Sequence, residues 1–128
     1  MMWIDLVAAL AVLQFVFFGV LVGGARTKYK VAAPATSGHP QFERMYRVQM
    51  NTLEQLVALL PAMFLSAHYW SANIVAAGGA VYLIGRFIYW RAYTKDPSSR
   101  TLGFGLSVFP TIAMLIAVVV GVVMKGAA

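Results

Sequence analysis

QFERMYRVQMNTLEQLVALLP, residues 41–61, runs from a charged head into an apolar tail without a break. At 100° per residue on a helix, Arg44, Arg47, Asn51 and Glu54 fall within an arc of about 80° and form one stripe. Gln49 points to nearly the opposite side and is expected to meet a different neighbour. From Leu56 onward the segment is as apolar as a membrane span. A helix that opens with two arginines, an asparagine and a glutamate on one face, and then enters lipid, decides how the remaining chain is read.

The 128 residues are 61% hydrophobic and only 11% charged, with a mean hydropathy of +0.76. That balance lies outside the soluble globular range and points to an integral membrane protein. Leu6–Ala25 and Leu102–Met124 are each long enough to cross a hydrocarbon core of about 30 Å as a helix. Leu56–Tyr69 and Ile74–Tyr93 supply two further apolar runs. Four spans use nearly the whole chain, so the expectation is an all-α, four-transmembrane-helix bundle forming a single domain over 1–128. Its helices are placed at about 4–29, 41–70, 73–95 and 99–125, with Ser98 or Ser99 capping the last and kinks at Pro61 and Pro110. The N-terminal run lacks a basic flank and carries Asp5, so it is read as a retained span rather than a signal peptide.

The net charge of +6 follows topology rather than nucleic-acid binding. Arg26, Lys28 and Lys30 belong to the first connection and Arg91, Lys95 and Arg100 to the third, while the second has no Lys or Arg. The first and third loops are therefore expected on the cytoplasmic side. With no cysteine, disulfides, thiolate metal sites and a cysteine nucleophile are excluded. His39 and His68 lack ligand-spaced partners, so no metal site is expected.

A second stripe lies on the third span, where Tyr82, Arg86, Tyr89 and Tyr93 fall within about 60°. Both stripes sit toward the cytoplasmic ends of their helices and, with Arg26 and Arg100, can line one polar pocket. Arginines and tyrosines at such ends commonly serve as orientation signals and aromatic belt, and Lys28, Lys30, Arg91 and Lys95 are read that way. A belt needs no fixed azimuth, and Asn51 or Glu54 facing lipid would be costly. Two readings stay open from the residues alone: a binding face, or a structural network in which Glu54 pairs with Arg47 between helices.

FERMYRVQMNTLEQ, with the loop holding Pro34, Gly38 and Pro40 and with VYLIGRFIYWRAY followed by Arg100, resembles the MAPEG family, the membrane-associated proteins of eicosanoid and glutathione metabolism. The likeness is to the microsomal glutathione transferase and leukotriene synthase branch, and it covers most of the chain. It implies a homotrimer with glutathione as co-substrate, bound between subunits near the cytoplasmic face. Carried over by motif, Arg47, Asn51, Glu54, Tyr89 and Tyr93 would hold glutathione from one subunit, Arg26 and Gln49 would reach it from the next, and Arg100 would lie beside the sulfur as the catalytic residue. Thr27, Gln55 and Ile112 depart from the leukotriene synthase pattern of a second arginine, a tyrosine and a tryptophan. The implied activity is thus a broad detoxifying glutathione transferase, or peroxidase, acting on a lipophilic electrophile or lipid hydroperoxide. The alternatives are a non-catalytic MAPEG-like lipid-binding or scaffold protein, and a small four-span exporter, which would need a carboxylate within the first span where only Gln14 stands.

Overall fold

The computed structural model describes residues 1–127. Among them the chain forms four α-helices: α1 (Met2–Tyr29), α2 (Pro40–Ser66), α3 (Ala72–Lys95) and α4 (Thr101–Ala127), with a short 3-10 turn at Pro97–Ser99. The buried face of α1 is Ile4, Val7, Ala8, Ala11, Gln14, Phe18 and Val22, the three-and-four spacing of a helix with one side inward. Its other side exposes Leu6, Leu13, Val16 and Val20, and α4 likewise exposes Phe109, Ile116 and Val119. Apolar side chains on the outside are what a lipid environment selects, and the helices satisfy their own backbone groups there.

Among the described residues, three helices are long and apolar enough to cross a membrane: α1, α3 and α4 with its leading turn. Together with this composition they make the chain an integral membrane protein. α2 falls short of that standard because even its more apolar part carries Gln49, Asn51, Glu54 and Gln55. It also ends earlier than its apolar run suggests. Tyr69 and Trp70 both turn back to donate to the Ser66 carbonyl, and the Trp70 indole donates to Ala117 O on α4 at 2.8 Å, which carries the chain off the α2 axis.

The start of α4 also differs from expectation. Ser98 and Ser99 do not cap it. Asp96 instead accepts from Ser98 N at 3.0 Å and Ser98 Oγ at 2.8 Å, while Ser99 Oγ reaches back to Ala92 O and Asp96 O. These bonds spend the serines on closing the turn, so α4 begins at Thr101. At the other loop His39 caps α2, its Nδ1 accepting from Gln41 N.

Among the described residues the interior divides into two apolar clusters. One gathers Ile4, Val7, Leu59, Met63, Val75 and Met114; the other gathers Phe18, Val22, Phe42, Met45, Val48 and Tyr89. Between them along α2 and α3 lie the buried polar residues Asn51, Thr52 and Arg86, and buried Ser107 of α4 bonds to Arg86. α3 and α4 approach closely along this layer. A Cβ on Gly85 would stand 2.7 Å from Leu106 Cβ and 2.9 Å from its carbonyl carbon, so glycine is required there for the helices to meet.

Candidate functional site

Where α2, α3 and α4 converge, the chain leaves a cleft of about 600 Å³ lined by Arg47, Asn51, Glu54, Gln55, Tyr89, Arg100, Thr101, Phe104, Gly105 and Phe109. The size lies within the range of small-molecule sites. Its lining is divided: cations, a carboxylate and an amide on one part, and phenylalanine rings of α4 on the other.

α2 supplies its stripe from one helical face. Arg47 and Glu54, two turns apart, pair at 3.1 Å with side chains 49% and 59% exposed. The pair lies within α2, not between helices as the network reading supposed. At that exposure both groups remain accessible, and the pair adds little to stability. Asn51, one turn from each, is buried and turned toward α3. Arg44 leaves the stripe: its guanidinium donates to Thr94 O at 3.3 Å and Lys95 O at 3.2 Å. There it satisfies carbonyls at the C-terminal end of α3.

α3 supplies Tyr89, whose ring stacks on Tyr93 at 5.3 Å and 10°. The Arg86 guanidinium lies over the same ring, 4.2 Å from its centroid. Tyr93 supports the cleft through Tyr89 without lining it. Arg100 enters from the 3-10 turn, exposed at the cleft. The hydrogen bonds from Ser98 that pin this turn also hold the Asp96 carboxyl below its ordinary range, side-chain bond first and backbone bond second.

Of the residues singled out by motif, the cleft collects Arg47, Asn51, Glu54, Tyr89 and Arg100. Arg26 and Gln49 lie elsewhere in the chain. Arg26 donates to Ala35 O at 2.7 Å and Val31 O at 3.5 Å, and its guanidinium packs 4.8 Å from the Phe42 centroid. It borders a separate loop-side depression with Thr27, Lys30 and Val31. Gln49 lies against α1, with its Nε2 2.9 Å from where a Gly19 Cβ would be.

Sequence reasoning placed Arg86 in a stripe but gave it no role, and it proves to be the centre of the polar layer. It is fully buried, with Nη1 2.8 Å from Asn51 Oδ1 and 3.4 Å from Thr52 Oγ1, and Nε 2.9 Å from Ser107 Oγ. A charge midway along an apolar helix, in phase with Tyr82 and Tyr89, was the available signal. Phe104 and Phe109 carried none, since nothing distinguishes them from lipid-facing residues of α4.

A family model described as the MAPEG family matches residues 4–120. Among individual proteins, an uncharacterized protein of Synechocystis is 40% identical over 116 residues, 91% of this chain and 85% of its own length. Human microsomal glutathione S-transferase 2 is 36% identical over 101 residues, 79% of this chain and 69% of its own. Leukotriene C4 synthase of Bos taurus is 33% identical over 94 residues, 73% of this chain and 63% of its own.

Proposed function

The chain belongs to the MAPEG family, and from that premise we propose that it is a membrane glutathione transferase whose site is the cleft between α2, α3 and α4. The observation that carries the proposal is the convergence of Arg47, Asn51, Glu54, Tyr89 and Arg100 on one cleft with apolar walls at Phe104 and Phe109. Relatives named as glutathione S-transferases support the choice of ligand.

Glutathione carries two carboxylates, one ammonium and a thiol. Arginine forks suit the carboxylates, which assigns Arg47 to one of them, and Glu54 suits the ammonium. In the free chain these two side chains neutralise each other; a zwitterionic ligand can take over both partners without leaving either charge unpaired. Tyr89, braced by Tyr93, offers a phenol at the same wall. The free thiol ionises near ~8.5, so a nearby cation is needed to populate thiolate at neutral pH. Arg100 fills that role without giving up its own proton.

The sulfur lone pair then attacks the electrophilic carbon of a lipophilic partner held against Phe104 and Phe109. A C–S bond forms and the leaving group departs with its electron pair, the thiol proton having already passed to solvent. With a lipid hydroperoxide the same thiolate attacks the distal oxygen, the O–O bond breaks to give the sulfenic acid and an alkoxide that takes a proton from solvent, and a second glutathione condenses with the sulfenic acid to give disulfide and water.

In this reading the working unit is a homotrimer of four-span subunits, α2 crossing the membrane inside the assembly where its polar face is covered. The site lies toward the cytoplasmic face, and Arg26 and Gln49 reach the ligand from the adjacent subunit. Their position on the α1 side of the chain, away from its own cleft, supports that arrangement. Native mass spectrometry in detergent should give a trimer; monomer or dimer alone would end the shared-site model. The activity is tested by glutathione-dependent turnover of a chloronitroaromatic and of a lipid hydroperoxide with purified protein in detergent. Activity on either substrate is expected, and none on both would refute the transferase reading.

A further inference from the structure

Among the described residues, the partners of the buried Arg86 cation are all neutral: the Asn51 amide, the Thr52 and Ser107 hydroxyls and the Tyr89 ring. Its Nη2 is buried without a partner. A guanidinium sunk in an apolar bundle with no carboxylate against it is costly. Packing alone would be served as well by an apolar side chain of similar volume. What the cation does that such a residue cannot is dictate the orientation of its acceptors.

A guanidinium has donors only. The Asn51 atom 2.8 Å from Arg86 Nη1 is therefore the amide oxygen, which turns the NH2 group the other way. Asn51 lines the cleft, and its Nδ2 is not among the buried unpartnered atoms. With Oδ1 taken by Arg86, the NH2 group is the end of the amide left for the cleft that Asn51 lines. The same guanidinium backs the Tyr89 ring, and its Nε ties to Ser107 Oγ, which itself donates to Gly103 O at 2.7 Å.

We propose that Arg86 is a positioning residue: it locks the Asn51 amide with its NH2 toward the cleft, as the donor for a carboxylate or carbonyl oxygen of the bound peptide, while bracing Tyr89 from behind. This rests on the glutathione reading given above. Arg86 touches neither ligand nor sulfur; it acts through Asn51 and Tyr89.

The chain has two asparagines, Asn51 and Asn73, so protein labelled with 15N-asparagine gives two side-chain NH2 signals, assigned with Asn73→Asp. On titration with glutathione the Asn51 pair should shift and the exposed Asn73 pair should not. In Arg86→Lys, which keeps a cation but loses the fork, glutathione affinity should fall about tenfold for the lost orientation of one charge-assisted bond, with the pKa of the bound thiol unmoved. Ser107→Ala removes one arm of the fork without touching the charge and should weaken affinity in the same direction, which keeps the test open if Arg86→Lys does not fold. Wild type that binds glutathione with an unmoved Asn51 signal overturns the inference. So does unchanged affinity in the folded variants, or an affinity loss accompanied by a shifted thiol pKa, which would make Arg86 a field effect. Wild type that binds no glutathione overturns the transferase reading itself.

Discussion

Replacing Arg47 by Ala and Glu54 by Gln separates a binding face from a structural one. The two side chains pair at 3.1 Å but are 49% and 59% exposed. Solvent screening at that exposure limits the pair to under about 1 kcal/mol of stability. A charge-assisted bond to a bound ligand is worth more, about 1.5–3 kcal/mol each, or about 10- to 150-fold in Kd. Each single variant should therefore unfold close to the wild-type temperature while binding glutathione at least about tenfold more weakly. The double variant should lose less than the product of the two, because the residues are in contact and each single change strands its partner. Calorimetric titration with glutathione and thermal unfolding on the same preparations measure both quantities. Unchanged Kd with a large fall in unfolding temperature would refute the assignment and make the pair a structural network.

Two predictions concern the frame of the site. A Cβ on Gly103 would overlap the Tyr89 backbone nitrogen and lie 2.6 Å from its Cα, so Gly103→Ala should destabilise by about 1–3 kcal/mol and weaken glutathione binding with it; Gly23→Ala, with nothing within 4 Å, is the control and should be neutral or mildly stabilising in thermal unfolding. The Asp96 carboxyl is held below its ordinary value by Ser98, so its contribution is fully present above the ordinary carboxylate range and fades as pH falls through the lowered value. Asp96→Asn should thus flatten the acid limb of a plot of unfolding temperature against pH, and identical limbs in the two proteins would remove Asp96 from the pinning of Arg100.

The helices were legible because hydropathy and caps are local signals, and their ends were less so where tertiary contacts intervened. Trp70 reaching Ala117 O and Ser99 turning back to Ala92 O are long-range or turn-specific bonds that propensity does not contain. The α2 stripe was readable as an azimuth, yet azimuth does not say what each member meets. Arg44 shares the face of Arg47 but spends itself on the end of α3, because at its height α3 is terminating. Arg86 was visible as a charge in an apolar span, but its partners Thr52 and Ser107 are ordinary residues of other helices, and only packing joins them. The resemblance puts Arg26 and Gln49 beside the ligand, while within one chain they lie on the far side of α2 from the cleft.

That Arg100 holds the bound thiol as thiolate is tested most directly by the thiolate's ultraviolet absorbance, titrated with pH on glutathione-saturated wild type and Arg100→Ala. The wild-type midpoint is expected well below the free-thiol value of ~8.5 and the variant midpoint near it, with affinity largely kept because the proposed site assigns the ligand's ends to Arg47 and Glu54. Turnover near neutral pH should fall about tenfold for each unit of that rise and recover in part as pH approaches the free-thiol value. Two absorbance curves that superimpose would contradict the assignment and take Arg100 out of the chemistry.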